Sequence, residues 1–119
     1  MLKNTVTLFR PTGPQELELV RKSGYKKWPP RLHGQPIFYP VTNEQYATAI
    51  ATKWNVRESG VGYVTKFEVK KDFMDRFEIK KVGGDYHTEW WIPADQLEEL
   101  NYNIVGTIEV VAEFRKDLS

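Results

Sequence analysis

The chain has 119 residues and no cysteine, and its 17 Lys and Arg residues against 16 Asp and Glu leave a net charge of +1. The length fits one domain over residues 1–119, and the missing thiols exclude disulfides and thiolate zinc sites. The near-neutral charge argues against a nucleic-acid partner. No apolar run approaches about 18 residues, which argues against a membrane span. A cytoplasmic location is the simplest expectation for a cysteine-free chain.

The first quarter of the chain predicts a strand followed by a helix. Residues 5–10 are rich in β-branched side chains, and the strand is expected to end before Pro11. A capping box with Thr12 as N-cap and Gln15 as its partner predicts a helix that ends near Gly24. After a proline-containing loop, residues 37–39 predict a short buried strand.

A second capping box predicts the best-defined helix of the chain. Thr42 and Gln45 have the three-residue spacing of a capping box. Tyr46, Ile50 and Trp54 then follow at intervals of four residues. These three side chains are therefore expected to form one apolar stripe. Residues 55–62 predict a polar turn.

The second half of the chain is dominated by predicted strands. Strands are expected at residues 62–69 and 77–82, with one helical turn near 71–75 between them. Gly83-Gly84 predicts a two-residue hairpin that pairs residues 77–82 with 85–92. Pro93 fits the first turn of a short helix carrying Ala94, Leu97 and Leu100. The last strand is expected over 106–114, with Ile108, Val110, Ala112 and Phe114 on one side.

This order of elements predicts an α+β fold. Because helices cluster early and strands late, we expect one small domain with a bent or split, mostly antiparallel sheet and two to three short helices.

Several kinds of chemistry have no support in the sequence. His33 and His87 lie far apart and lack a second ligand at helical spacing, so no metal site is predicted. No G-x-S-x-G elbow is present, which argues against Ser-His-Asp hydrolysis. Gly83-Gly84 alone offers too few glycines for a phosphate-binding loop.

Arg10 and Tyr39 each allow a structural and a functional interpretation. Arg10 is either a solvated or paired arginine at the end of a strand, or an anion clamp beside a helix N-terminus, with Arg31 as a helper. Tyr39 is either a core aromatic with a satisfied hydroxyl, or a ring that stacks on a planar ligand.

Glu89 also leaves two interpretations open. On an alternating strand it shares a face with His87 and Trp91, so its carboxylate is expected to be partly desolvated and to mark a site. The alternative is an ordinary strand glutamate paired with Lys80 or Lys81 across the hairpin.

The residues Leu8-Phe9-Arg10, Ile37-Phe38-Tyr39-Pro40 and Thr88-Glu89-Trp90 together resemble the ordered triad of ADP-ribosyltransferase-like proteins. Nearly the whole chain also resembles a group of small bacterial proteins that carry the label "ADP-ribosylation/crystallin J1".

The resemblance implies that NAD is a substrate. Glu89 would be the catalytic residue, and Arg10, Tyr39, Thr12 and His87 would bind the cofactor. In many transferases a Glu or Gln stands two residues before the catalytic glutamate, where this chain has His87. Two functions stay open: ADP-ribosyl transfer or NAD hydrolysis, and a non-catalytic module of the same fold that binds a small molecule or a protein.

Overall fold

The computed structural model describes residues 4–116. The strands are β1 (Thr5–Thr12), β2 (Ile37–Phe38), β3 (Val61–Lys70), β4 (Ile79–Lys81), β5 (Thr88–Trp90), β6 (Ile92–Pro93) and β7 (Ile104–Arg115). The α-helices are α1 (Pro14–Lys22), α2 (Glu44–Ile50), α3 (Val56–Ser59), α4 (Lys71–Met74) and α5 (Leu97–Tyr102). The named strand pairs are all antiparallel and form a three-stranded sheet and two short ribbons. The predicted α+β class with a split antiparallel sheet is therefore confirmed.

The main sheet has the strand order β1-β3-β7. β1 runs beyond its predicted end, because Pro11 lies in the strand opposite Val64 and Thr12 opposite Tyr63. A proline fits here since β1 is at the edge of this sheet, where a missing N–H need not break a ladder bond.

The prediction that Thr12 caps α1 is wrong. Thr12 is the last residue of β1, and Gly13 takes the N-cap position without a side-chain hydrogen bond. Pro14 begins the helix, as its fixed φ favours. The turn from strand to helix is therefore one residue long and contains no capping box.

The second helix forms as predicted, but with a different cap and a greater length. Asn43, and not Thr42, is its N-cap, because the Asn43 side chain accepts a hydrogen bond of 2.7 Å from the Tyr46 amide. A π-helical segment, Ala51–Asn55, joins α2 to α3, and Gly60 ends α3 in the left-handed conformation. The polar turn predicted for residues 55–62 is thus mostly helix.

The π-helical segment also breaks the predicted apolar stripe. A π turn contains more residues than an α turn, so the side chains after it rotate to a new face. Trp54 lies within this segment and is 58% exposed, whereas Ala47 and Ala51 are buried. The helix therefore packs through its alanines, which allow a close approach to β3.

The predicted hairpin between β4 and β5 is confirmed, but the prediction of a two-residue turn is wrong. Lys81 pairs with Thr88, so residues 82–87 form the connection, and the His87 amide donates to the Gly84 carbonyl at 3.0 Å. Neither glycine has the positive φ that a type I′ turn requires. Ile92 leaves this hairpin to pair with Phe38 of β2, and Pro93 ends β6 before a 3-10 turn over Ala94–Gln96.

The last strand is longer than predicted and does not alternate simply. Ile108 is buried, but Val110 is 41% exposed. The register with β3 shifts between the pairs Val64–Ala112 and Thr65–Val110, so the predicted single face is divided: Ile108 packs in the cluster of Phe67, whereas Ala112 and Phe114 pack against the cluster of Val64.

Two hydrophobic clusters fill the interior. The larger cluster contains Trp28, whose ring lies 5.6 Å from the Phe38 ring and 5.2 Å from the Phe67 ring. The smaller cluster joins Val41, Ala47, Ala51 and Val64 under the second helix. In the part of the chain that the structure describes, no helix is long and apolar enough to cross a membrane.

Candidate functional site

The candidate site lies where the segment around Val41 joins two parts of the sheet. The amide and carbonyl of Val41 bond to Phe9 of β1 at 2.7 and 2.9 Å. On its other side, Val41 forms an isolated bridge to Glu89 of β5. This single residue therefore connects the first strand to the hairpin and brings Arg10 and Glu89 into one region.

A cleft of about 380 Å³ opens at this junction. Its lining includes the three residues predicted to converge, and the full set is Arg10, Pro11, Arg31, Tyr39, Val41, Ile50, Asn55 and Glu89. The predicted convergence of Arg10, Tyr39 and Glu89 is confirmed. Clefts that hold small ligands begin at about 300 Å³.

Arg10 is paired in this structure. Its Nε and Nη2 donate to the two carboxylate oxygens of Glu16, in α1, at 2.7 and 2.8 Å. The guanidinium also lies over the Phe38 ring, 4.4 Å from its centroid, and its Nη1 reaches the Tyr39 carbonyl only at 3.5 Å. The interpretation of Arg10 as a paired arginine therefore describes most of its contacts, although it still lines the cleft.

Arg31 is the second cation of the cleft. Its Nε donates to the Ile37 carbonyl at 3.1 Å, and its Nη1 lies 3.8 Å from Glu16. Burial, followed by the nearby positive charge of Arg10, lowers the pKa of Arg31 from its ordinary value. The positive end of the cleft thus contains two guanidinium groups that share one carboxylate.

Glu89 forms the negative end and is only 8% exposed. Its Oε1 accepts from the Tyr46 hydroxyl and its Oε2 from the Trp91 indole N–H, both at 2.8 Å. The alternative of a lysine pair across the hairpin is wrong, because the amines of Lys80 and Lys81 contact Glu78 and Asp85 instead. Neutral donors fix the orientation of this carboxylate.

Tyr46 and His87 support Glu89 from one side. Burial, and then the hydrogen bond to Glu89, raises the pKa of Tyr46 to about 12, so its hydroxyl stays protonated as a donor. The His87 ring stacks on Tyr46 at 4.7 Å, and its Nδ1 accepts from the Gly84 amide at 3.0 Å. His87 is not among the residues that line the cleft, so its predicted contact with a cofactor stays untested.

Tyr39 lies at the mouth of the cleft and is 42% exposed. The prediction that it is buried in the second strand is wrong, because that strand ends at Phe38, which is the buried aromatic. The Tyr39 ring meets the half-exposed Trp91 ring edge to face at 6.3 Å. This pair leaves aromatic surface free to contact a planar ligand.

Three buried polar atoms have no hydrogen-bond partner among residues 4–116. They are the Thr12 hydroxyl, the Trp28 indole nitrogen and the Asn55 side-chain oxygen. Asn55 lines the cleft at the end of the π-helical segment, a kind of helix often found at functional sites. Thr12, predicted to bind a cofactor, is 2% exposed and is not part of the lining.

Sequence reasoning missed Glu16, Tyr46 and Asn55 as parts of the site. Tyr46 matched the pattern of an apolar helix residue that packs in the core. Glu16 matched the pattern of an acidic residue in the first turn of a helix. Trp91 could have been found, since it stands two residues from Glu89 on the predicted strand face. Within residues 4–116, no group of three or more His, Asp or Glu residues is arranged to hold a metal ion.

Comparisons with protein-family models, curated proteins and solved structures found no match to this chain.

Proposed function

We propose that the cleft binds NAD and that the protein transfers ADP-ribose from it or hydrolyses it. The observation that carries this proposal is the convergence of Arg10, Tyr39 and Glu89, from three separate parts of the chain, on one cleft. The family resemblance assigned a role to each of these residues.

The charges of the cleft suit the two ends of this substrate. Guanidinium groups at one end can attract phosphate oxygens. At the other end, Glu89 keeps a negative charge close to where positive charge develops on the ribose as its bond to nicotinamide breaks. The nicotinamide leaves with the bonding electrons, and water or an acceptor nucleophile forms the new bond to the ribose carbon and releases its proton to solvent.

Substitution of Glu89 by Gln tests the proposal. Because glutamine keeps the size of the side chain but removes its charge, turnover of NAD should fall by at least about 100-fold, the scale of a lost electrostatic contact in a transition state. The Kd for NAD should change little, since the charge matters less in the ground state. Calorimetric binding and release of nicotinamide would be measured in both proteins.

The control is Glu78→Gln, which removes an exposed glutamate of the same hairpin that contacts Lys80. Turnover should survive in this variant. Full turnover by the Glu89→Gln variant would defeat the catalytic role.

A non-catalytic binding module is the second candidate, and the internal pairing of the cleft favours it. Both oxygens of Glu89 and two nitrogens of Arg10 already have partners. Such a network can serve as a rigid floor for a ligand without any chemistry. A protein that binds NAD or ADP-ribose but releases no nicotinamide would fit this candidate.

A further inference from the structure

The two arginines of the cleft differ in how completely their donors are used. Arg10 gives two short hydrogen bonds to Glu16, and its side chain is 12% exposed. It packs between aromatic rings, 4.4 Å from the centroid of Phe38 and 5.6 Å from that of Trp28. A new ligand could gain little from this guanidinium without breaking the pair with Glu16.

Arg31 is in the opposite situation. Its Nε is bonded to the Ile37 carbonyl, but no described residue accepts a hydrogen bond from its Nη1 or Nη2. The contact to Glu16 at 3.8 Å is too long for a hydrogen bond, and the side chain is only 14% exposed. Neither nitrogen is among the buried polar atoms that lack a partner, so both reach solvent and can donate to an incoming anion without breaking an existing hydrogen bond.

The formal charges agree with this difference. Arg10 and Arg31 bring two positive charges to the cluster, and Glu16 brings one negative charge. One positive charge is left over at this end of the cleft, whereas Glu89 lies at the other end, and Glu16 satisfies Arg10 far better than it satisfies Arg31. The planar fork of Arg31 matches two oxygens of one phosphate group.

We infer that Arg31, rather than Arg10, is the residue that contacts an oxyanion in the cleft, and that the ligand carries a phosphate or diphosphate group. Arg10 is then a positioning residue, since together with Glu16 it shapes the floor beside Arg31. This assignment rests on the proposed function for its location, because it treats the cleft as a ligand site.

Inorganic pyrophosphate tests the assignment without NAD. Calorimetry would compare the wild type with Arg31→Gln and with the charge-balanced double variant Arg10→Gln/Glu16→Gln, which removes the ion pair and leaves Arg31. The Kd should rise roughly 10- to 100-fold in Arg31→Gln, the loss expected for charge-assisted hydrogen bonds. The double variant should lose less affinity than Arg31→Gln.

Two further variants control for charge and folding. Arg76→Gln removes an arginine that pairs with Glu99 and does not line the cleft, and it should bind pyrophosphate as the wild type does. Arg31→Lys keeps the charge but not the fork, so it should fold and bind with intermediate affinity. Far-ultraviolet circular dichroism and melting curves would establish that each variant folds.

The inference is overturned if wild type does not bind pyrophosphate, if Arg31→Gln binds it equally well, or if the double variant loses as much affinity or more. Pyrophosphate binding that depends on Arg31, in a protein that does not bind NAD, would defeat the proposed function and keep this inference. NAD binding that is unchanged in Arg31→Gln would overturn this inference and keep the proposed function.

Discussion

Glu89 is a nearly buried carboxylate whose two oxygens are held by uncharged donors. The Tyr46 hydroxyl and the Trp91 indole each donate at 2.8 Å, from a helix and from the residue after β5. Neutral donors stabilise the negative charge without cancelling it, in contrast to the Arg10–Glu16 pair. A carboxylate whose orientation is fixed and whose charge is not neutralised can stabilise a transition state without reorganising.

Removal of one donor should show how far this geometry depends on Tyr46. Tyr46→Phe takes a hydrogen bond from a buried carboxylate and should lower the free energy of unfolding by about 1–3 kcal/mol. Urea unfolding followed by fluorescence gives this value. Tyr102→Phe is the matched control, since Tyr102 is 80% exposed and its loss should cost almost nothing. Equal stability of the two variants would contradict the role of Tyr46.

The raised pKa of Tyr46 predicts a specific alkaline sensitivity. In the unfolded chain a tyrosine loses its proton near its ordinary pKa of 10, whereas folded Tyr46 keeps it to about 12. A group with a raised folded pKa gives its full stabilisation below the unfolded value and loses it as the pH rises through the folded value. The stability difference between wild type and Tyr46→Phe should therefore be constant below pH 10 and shrink between 10 and 12. A difference that does not change over this range would contradict the prediction.

The sequence predicted three residues that line the cleft but not the residues that hold them in place. Arg10, Tyr39 and Glu89 stand out because each lies in or beside a strand and carries a group suited to ligand contact. Glu16 and Tyr46 could not be chosen, because their roles depend on which strand their helix packs against. Hydrogen bonds between residues 43 positions apart, as for Tyr46 and Glu89, leave no local pattern.

At the scale of elements, the close approach of the π-helical segment to β3 shapes one wall of the cleft. Gly62 makes this approach feasible, because a Cβ at this position would lie 2.5 Å from the Ala51 carbonyl oxygen and 2.9 Å from the Asn55 Cβ. The backbone of Ala51 cannot move aside without disturbing the helix. Gly62 therefore sets the position of Asn55 beside the cleft.

Gly62→Ala should separate the helix from the strand. We expect a loss of about 1–3 kcal/mol in the free energy of unfolding, the usual cost of overpacking. Gly84→Ala is the control, because a Cβ there meets its nearest atom at 3.6 Å, an ordinary contact. Thermal or urea unfolding of both variants measures the effect, and a Gly62→Ala protein as stable as the control would show that the helix can shift freely.

Local patterns predicted which elements exist but not where their pairing begins. The glycine pair at 83 and 84 correctly indicated a hairpin. The predicted two-residue turn was wrong, because hydrogen bonds between Gly84 and His87 close a larger loop. The helix from Glu44 was predicted, but the π-helical segment that follows it and packs closely on Gly62 was not. Turn type and helix irregularity both depend on hydrogen bonds and packing that the hydrophobic pattern does not encode.

At the scale of the whole molecule, the split of the sheet creates the site. β1 and the β4–β5 ribbon belong to separate pieces that are joined through Val41. Larger grooves lie elsewhere on the described residues and offer competing places for a ligand. One of about 480 Å³ is lined by residues that include Leu19, Trp28, Leu97 and Asn101, and one of about 550 Å³ by residues that include Asn101 and Tyr102.

The most direct test of the account is an NMR titration of the isotope-labelled protein with NAD. We predict that the amide signals of Arg10, Val41 and Glu89 and the indole signal of Trp91 shift together, while those of Leu19 and Asn101 stay in place. Shifts confined to the groove around Leu19 and Asn101, or no shifts at millimolar NAD, would contradict the claim that the cleft between Arg10 and Glu89 is the NAD site.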